Sequence, residues 1–282
     1  MTDAAKRTPA FITHDAKREA QIQSRLLDAL EARFRRRIAK VLAKEAAGLL
    51  ARYRELGFVP PPDNDDERAV RDVYMEIGLR SARVFGARVI GVGLEKAVPY
   101  TFDGGQSFCF ARGNGTRIEA KFSFADFFQS VATGWINQEA IRRRITGVAE
   151  TTRADIVRQV TAGQADGLGV DAIARNIANR VPSISRMRGA LIARTETHGA
   201  ANYAMHQTAK QTGLTLVKEW VAAEDERTRP EHADANGQTV AMDEPFMVGG
   251  EQLMYPGDSS GSAWNTINCR CVSIQRVSDP DF

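Results

Sequence analysis

The residue types best able to do chemistry are concentrated in three short segments of the C-terminal third. These segments are ARTETH at 193–198, EDERTRPEH at 224–232 and NCRC at 268–271. Within them, His232, Cys269 and Cys271, with His198 or an acid such as Asp225 as a possible further ligand, offer nitrogen, sulfur and oxygen ligands of the kind that bind zinc. Zinc sites more often show CxxC or HxxxH spacing, and a CxC pair in a strand points both thiols to one face, which also suits packing. We therefore expect a structural role for the two cysteines and keep zinc binding as the less favoured alternative.

The same segments could hold an acid-base constellation. Glu196 and His198 lie on an expected helix and Asp225 and His232 on an expected loop, so they could act as general acid and base. The competing interpretation is a hydrogen-bonded turn in which Asp225 accepts backbone N–H bonds, while arginines of these segments pair with Glu196 or Glu231. The arginines concerned are Arg227, Arg229 and Arg270. Because buried polar groups are normally paired, we favour this structural network and predict no catalytic residue.

Two basic triplets, Arg35–Arg37 and Arg142–Arg144, raise the question of nucleic-acid binding. Successive residues of a helix are about 100° apart, so each triplet spreads over most of the circumference and favours a solvated face. The triplets lack the interleaved aromatic residues of a single-strand platform. The glycines near 91–93 and 104–105 match no phosphate-loop pattern. DNA binding is therefore kept as an alternative only.

The elements that must position these residues form an expected α+β fold. Apolar residues recur at helical spacing through the N-terminal and middle regions, which predicts a mostly helical chain there. A period of two between Pro99 and Phe124 predicts a small β-hairpin, and three prolines at 60–62 predict a hinge. The C-terminal region is predicted to be a compact, loop-rich α+β domain. Helices are expected at 15–53, 67–97, 125–132, 137–163 and 169–180, the last continued by 183–211, and strands at 214–222 and 271–277.

Charge is unevenly distributed along the 282 residues, whose net charge is only +3. Residues 1–60 hold 13 basic and 7 acidic side chains, a net charge of +6, whereas 188–282 hold 8 and 13, a net charge of −5. Three cysteines are too few for a disulfide scaffold. No apolar stretch suits a signal peptide or a membrane-spanning helix. We expect a protein made in the cytoplasm that has no membrane partner.

Four stretches together resemble the head-morphogenesis family of tailed phages typified by the Mu F protein. They are ARTETHGAAN (193–202), EWVAAEDERTRPEH (219–232), Gly237 and NCRC (268–271). The residues that match the family motif are Arg194, Thr195, Glu196, Asn202, Trp220, Asp225, Arg227, Thr228, His232, Gly237, Cys269, Arg270 and Cys271. Some relatives carry His-Pro ahead of Asn-Cys-Arg-Cys where Thr266-Ile267 stands here, which weakens a zinc site that depends on that histidine. The resemblance covers about 190–277 strictly, and about 135–277 if the preceding helices are included.

The resemblance implies a minor head protein that associates with the portal and acts in capsid assembly, DNA packaging or ejection. It implies no catalytic role and no cofactor, and it places the protein in the virion and, during assembly, in the host cytoplasm. Its expected partners are the portal protein and the capsid interior, with packaged DNA as a further candidate. The expected domains are a basic helical arm with a Pro-rich hinge and a β-hairpin at 1–130, and a Mu F-like domain at 131–282.

Two alternatives stay open. The first is an enzyme with transferase or nuclease-like activity, because similar domains occur in phage polypeptides that carry such modules; the residues to suspect would be Arg194, Glu196 and His232. The second is a DNA-binding ejection factor that uses the basic N-terminal helix.

Overall fold

Helices dominate the architecture, and the α+β class is confirmed. The structure, a computed structural model, describes residues 10–62, 64–89, 108–111, 117–120, 124–211 and 215–278. The long helices of these residues are α1 (Ala10–Leu56), α2 (Asn64–Ser81), α3 (Phe124–Ile136), α4 (Glu139–Ala165) and α5 (Val170–Gln211). No helix among them is long and apolar enough to cross a membrane.

Helix α1 packs lengthwise against α5, and this is the most extensive helix pairing of the described chain. The buried stripe of α1 recurs every three to four residues or multiples of that spacing, as an amphipathic helix requires. Its members include Leu27, Phe34, Ile38, Leu42 and Leu49. On α5, a Cβ at Gly189 would lie 3.0 Å from the backbone nitrogen of Ala39. The two backbones approach closely because position 189 carries no side chain.

One hydrophobic cluster joins all five long helices. It contains Phe34 of α1, Tyr74 of α2, Trp135 of α3, Ile141 of α4 and Ala193 of α5. The core therefore spans residue 130, and the domain boundary expected there stays a prediction. The Pro-rich segment is held as well, since Arg153 of α4 donates hydrogen bonds to the carbonyl oxygens of Val59 and Pro60, at 3.1 and 2.8 Å.

The helix boundaries differ from the sequence expectations in three places. The second helix, expected at 67–97, begins at Asn64 and continues through a π-helical turn at Ala82–Gly86 to residue 89, and residues 90–97 lie outside the described residues. Helix α5 runs through Pro182, whose missing N–H costs one helical hydrogen bond without ending the helix. Phe124, expected in a strand, begins α3.

The expected hairpin is present as β1 (Phe108–Ala111) and β2 (Arg117–Ala120), which pair antiparallel with Phe108 opposite Ala120. The structure describes the backbone pairing of these strands, whereas their side chains, including that of Cys109, are not among the described parts. The connecting residues 112–116 and the expected strand positions at 100 and 102 are also outside the described residues.

The C-terminal region is a small sheet surrounded by loops and short helices. Strand β3 (Leu216–Val221) lies between β4 (Thr239–Ala241) and β7 (Val272–Val277), all antiparallel, and β5 (Phe246–Val248) pairs with β6 (Glu251–Leu253). The strands expected at 214–222 and 271–277 are thus confirmed at Leu216–Val221 and Val272–Val277. Two short helices, α6 (Pro230–Asp234) and α7 (Ala263–Thr266), complete the region. Its core is compact and consists of Trp220, Ala222, Ala235, Phe246, Val248, Leu253, Cys269 and Cys271.

Candidate functional site

His232, Cys269 and Cys271 meet in the interior of the C-terminal region. The Nδ1 atom of His232 lies 3.4 Å from the Sγ atom of Cys271 and 3.7 Å from the Sγ atom of Cys269. The three possible ligand atoms all lie within 4.8 Å of one another, and each residue is only 2% exposed. The fold thus brings together three of the residues for which the sequence suggests metal binding, whereas the possible further ligands His198 and Asp225 are not part of this described cluster.

Different elements position the three side chains. His232 lies in α6, which begins with Pro230 at a position where the missing N–H is harmless. The indole of Trp220 packs edge-on against the imidazole, with ring centroids 5.5 Å apart. The two cysteines lie between α7 and β7, just after Asn268, whose φ of 64° puts it in the left-handed region that Asn tolerates. This turn directs the NCRC segment into the core.

The DERT segment forms the hydrogen-bonded turn that the sequence predicts. Oδ1 of Asp225 accepts hydrogen bonds from the backbone N–H of Arg227 at 3.0 Å and from the hydroxyl of Thr228 at 3.3 Å. Asp225 also accepts two bonds from the guanidinium of Arg270, which holds the pKa of the Asp225 carboxyl well below its usual range. The expected pairing of Arg270 with Glu196 or Glu231 is therefore wrong. The Asp225–Arg270 pair instead joins the DERT turn to the NCRC segment.

The RTE segment of α5 holds the other side of the NCRC segment. Arg194 donates to Oδ1 of Asn268 at 3.0 Å, and the hydroxyl of Thr195 accepts the backbone N–H of Asn268 at 3.0 Å. The same arginine donates to both carboxylate oxygens of Glu31 in α1, at 3.0 and 3.1 Å. Arg194 thus connects α1, α5 and the NCRC turn through one guanidinium.

Asn202 lies on α5, four residues after His198, and its side chain joins this helix to strand β7. Its amide nitrogen donates to the carbonyl oxygen of Cys271 at 3.2 Å, and its amide oxygen accepts the N–H of Ser273 at 3.0 Å. One side chain therefore satisfies a donor and an acceptor of the strand backbone, which would otherwise be buried without partners.

Glu196 faces a pocket of about 290 Å³ between α4 and α5. It is 3% exposed, and burial raises the pKa of its carboxyl, an effect opposed by Arg144, whose Nη1 atom lies 3.5 Å away. Arg144 also donates to the hydroxyl of Thr266 at 3.1 Å. The expectation that the 142–144 triplet is fully solvated is wrong for Arg144, whose guanidinium turns inward. Arg142 and Arg143 are exposed.

The members of the suspected acid-base constellation have separate partners. Glu196 pairs with Arg144, Asp225 with Arg270, and His232 with the cysteines and Asn265. Burial lowers the pKa of His198 to about 4, which keeps this imidazole neutral. No hydrogen bond joins any two of these acids and histidines among the residues that the structure describes, so they form no acid-base relay there.

The two thiols influence each other's protonation. A hydrogen bond from Cys271 lowers the pKa of the Cys269 thiol, and burial opposes this effect. The pKa of Cys271 is raised by the same bond with Cys269 and by burial. The pair therefore favours one thiolate, on Cys269.

Sequence reasoning missed Glu31 and Asn265, assigned Arg144 to a solvated triplet, and named Asn268 within NCRC without its role in the turn. Glu31 carried a usable signal, because it lies four residues after Leu27 on the apolar stripe of α1, where an acid must find a buried partner. Arg144 carried none, since a triplet in a helix does not show which arginine turns inward. Asn265 lies in the short NTIN stretch, whose periodicity is too brief to indicate a face.

Comparisons with known proteins relate the sequence to phage head proteins and to one transferase. The sequence profile of the family described as "Phage Mu protein F like protein" matches residues 154–274. The minor head protein GP7 of Bacillus phage SPP1 is 31% identical over 134 residues, which cover 45% of this chain and 43% of the relative. The NAD(+)–arginine ADP-ribosyltransferase EFV of Enterococcus faecalis (strain ATCC 700802 / V583) is 26% identical over 155 residues, covering 54% of this chain and 31% of the relative.

A third relative is the protein YqbB of Bacillus subtilis (strain 168), 30% identical over 96 residues, which cover 33% of this chain and 32% of the relative. The chain thus matches between about a third and less than half of the length of these curated relatives. No solved structure gives a significant match.

The fold and the motif together define a class of α+β domain. In this class, a long helix that carries RTE and Asn contacts the segment containing CRC, and that segment is joined to a DERT turn. Residues 154–274 match the sequence profile of the phage Mu protein F like family, and the resemblance seen in the sequence is confirmed.

Proposed function

We propose that the protein is a minor head protein of a tailed phage or prophage, which associates with the portal and acts in capsid assembly and in DNA packaging or ejection. The observation that carries the proposal is that the motif residues make hydrogen bonds between elements of the fold. The hydrogen bonds of Arg194, Thr195, Asn202, Asp225 and Arg270 join α1, α5, the DERT turn, the NCRC segment and β7 to one another. Such residues support a rigid structural domain, and the relative named a minor head protein supports its setting.

The exposed face of α1 is the proposed docking surface for the portal or the inner capsid wall. Arg36, Lys40 and Lys44 follow one another at four-residue spacing and are exposed. Residues four apart lie on the same side of a helix, so the three form one basic stripe opposite the stripe that packs on α5. A basic stripe of this kind favours binding to an acidic surface of a partner.

Charge reversal on that face tests the docking surface. In the full chain, Lys40→Glu with Lys44→Glu is expected to lower co-purification with the portal protein several-fold, because attraction becomes repulsion. Arg142→Glu with Arg143→Glu is the matched control, since it reverses the same number of exposed charges on α4. Equal loss in both variants, or in neither, would exclude α1 as the docking surface.

The location of the protein in particles tests the function as a whole. The proposal predicts that mature heads of the phage that encodes the chain contain the protein in few copies at the portal vertex, as seen by immunogold labelling. Presence in precursor heads alone would limit the role to assembly. Absence from both kinds of head, with the protein expressed, would refute the proposal.

A second candidate function is NAD-dependent transfer to arginine, which the name of one relative and the pocket beside Glu196 favour. Against it, the match covers 31% of that relative, and Arg194 and His232 are engaged by other partners. The purified full chain, incubated with NAD and an arginine acceptor, is expected to give no turnover. Turnover that Glu196→Gln abolishes and Glu226→Gln, at an exposed position of the DERT turn, retains would favour the enzyme instead.

A further inference from the structure

We propose that His232, Cys269 and Cys271 form a structural zinc site, with Nδ1 and two thiolate sulfurs as its ligands. The three donors come from two separate segments of the chain, converge in the interior and lie within 4.8 Å of one another. An ion at their centre would join α6 to the turn that precedes β7.

The hydrogen bonds around His232 fix the tautomer that a metal needs. Asn265 donates from its amide nitrogen to the carbonyl oxygen of Val248 at 3.3 Å, so its amide oxygen is the atom that faces Nε2 of His232, at 3.2 Å. An amide oxygen only accepts, and Nε2 must therefore carry the ring proton. Nδ1 is left with its lone pair directed at the two sulfurs. A histidine whose second nitrogen is held by a side-chain oxygen is the usual arrangement behind a metal ligand.

The distances agree with tetrahedral zinc. Bonds of about 2.0 Å from zinc to nitrogen and about 2.3 Å to sulfur at a tetrahedral angle separate the two donors by about 3.5 Å. The separations of Nδ1 from the two sulfurs are 3.4 and 3.7 Å. Hydrogen bonding explains these contacts less completely, because the single lone pair of Nδ1 can accept a proton from one thiol, whereas one ion accounts for both contacts.

The composition of the site selects for zinc over harder cations. Two thiolates and one imidazole suit zinc, whereas calcium and magnesium require oxygen ligands. Arg270, which lies between the cysteines in the sequence, is held by Asp225 and supplies its charge there. A divalent ion would balance two buried thiolates, which are otherwise costly in an apolar core.

The site has three protein ligands among the described residues, and this determines its expected coordination. Thr266, which lies close to the two cysteines in the sequence, is engaged through its hydroxyl by Arg144 and by the carbonyl oxygen of Ser262. The fourth tetrahedral position therefore falls to a water molecule or another small ligand. X-ray absorption of the zinc-loaded protein should fit two sulfur and two light-atom neighbours.

Metal content of the untagged full chain tests the proposal. Protein purified from zinc-supplemented cultures is expected to hold ~1 zinc per chain by mass spectrometry, and Cys269→Ser to hold less than ~0.2, because loss of one of three ligands removes most of the binding energy. Cys109→Ser, which removes the remaining cysteine of the chain, is the matched control and should retain the metal.

Cobalt substitution of the wild-type protein keeps the test valid if the variants do not fold. Cobalt bound at this site should give a thiolate-to-metal charge-transfer absorption that added zinc abolishes, and chelation should lower the Tm. A wild-type chain that holds no stoichiometric zinc and shows no such absorption would overturn the proposal, and the proposed role in the head would stand independently of that result.

Discussion

Asn202 shows at the scale of one residue why the family motif contains a polar side chain in a buried helix. Its amide pairs with both a carbonyl and an N–H of the β7 segment. We predict that Asn202→Ala lowers the free energy of unfolding by about 2–4 kcal/mol, since it leaves two buried backbone groups without partners. Urea denaturation measures this effect. Asn176→Ala, at an exposed position of α5, is the control and should change stability by less than about 0.5 kcal/mol.

Glu45 is a second buried residue, and its carboxyl should make the stability of the folded protein depend on pH. Burial and then the nearby Asp66 raise the pKa of its carboxyl from 4.5 to about 7. The folded state binds this proton more tightly than the unfolded state, so the contribution of Glu45 is fully present below pH 4.5 and is lost as the pH rises through about 7.

Glu45→Gln should remove this dependence. The amide oxygen can still accept the hydroxyl of Thr152, which donates to Glu45 at 3.3 Å in the wild type. Relative to the wild type, we expect the free energy of unfolding of the variant to rise by on the order of 2 kcal/mol between pH 4.5 and pH 8. Urea denaturation across that range measures the difference, and Glu55→Gln, an exposed change on α1, should leave the wild-type pH profile unchanged. A constant difference between Glu45→Gln and wild type at all pH values would contradict the assignment.

At the scale of the elements, two glycines in helices should respond to alanine in opposite directions. A Cβ at Gly189 would meet the backbone of α1, 3.0 Å from the nitrogen of Ala39 and 3.1 Å from the oxygen of Arg35. Gly147 of α4 has nothing within 4 Å of the same atom. We predict that Gly189→Ala destabilises by about 1–3 kcal/mol because the helices must separate. Gly147→Ala should stabilise by about 0.5–1 kcal/mol, since alanine is the better helix former.

The comparison of these elements with the sequence shows which information periodicity carries. The apolar stripe of α1 and the alternation in β7 follow from residue spacing, and both elements were predicted near their observed positions. Periodicity identifies a buried face but not its partner, so it could not show that α1 packs on α5 or that Arg194 reaches Glu31, 163 residues away. The CxC pair was expected within the terminal strand, but Cys269 and Cys271 both precede β7. Their geometry with His232 depends on the left-handed turn at Asn268 and on Asn265, which no spacing rule indicates.

At the scale of the whole molecule, the basic and acidic regions share packing instead of standing apart. Leu27 of the basic helix lies in one cluster with Met205 of α5 and with Val272 and Ile274 of β7. Arg194 links the same helix to the NCRC turn through Glu31. The difference in net charge between the two ends therefore describes two surfaces of a continuous structure, one basic and available to a partner, the other carrying the motif.

This continuity makes a prediction about cooperativity that concerns the full chain. If α1 were an independent arm, its amides would exchange with solvent far faster than those of α5. We expect residues 27–50 to be protected from hydrogen exchange to nearly the same degree as 193–209, because separating α1 would expose Phe34, Leu42 and Leu49 together. Gly189→Ala should then accelerate exchange in both segments, whereas Gly147→Ala should accelerate neither. Faster exchange confined to α1 would show that the basic helix opens alone, as a separate arm would.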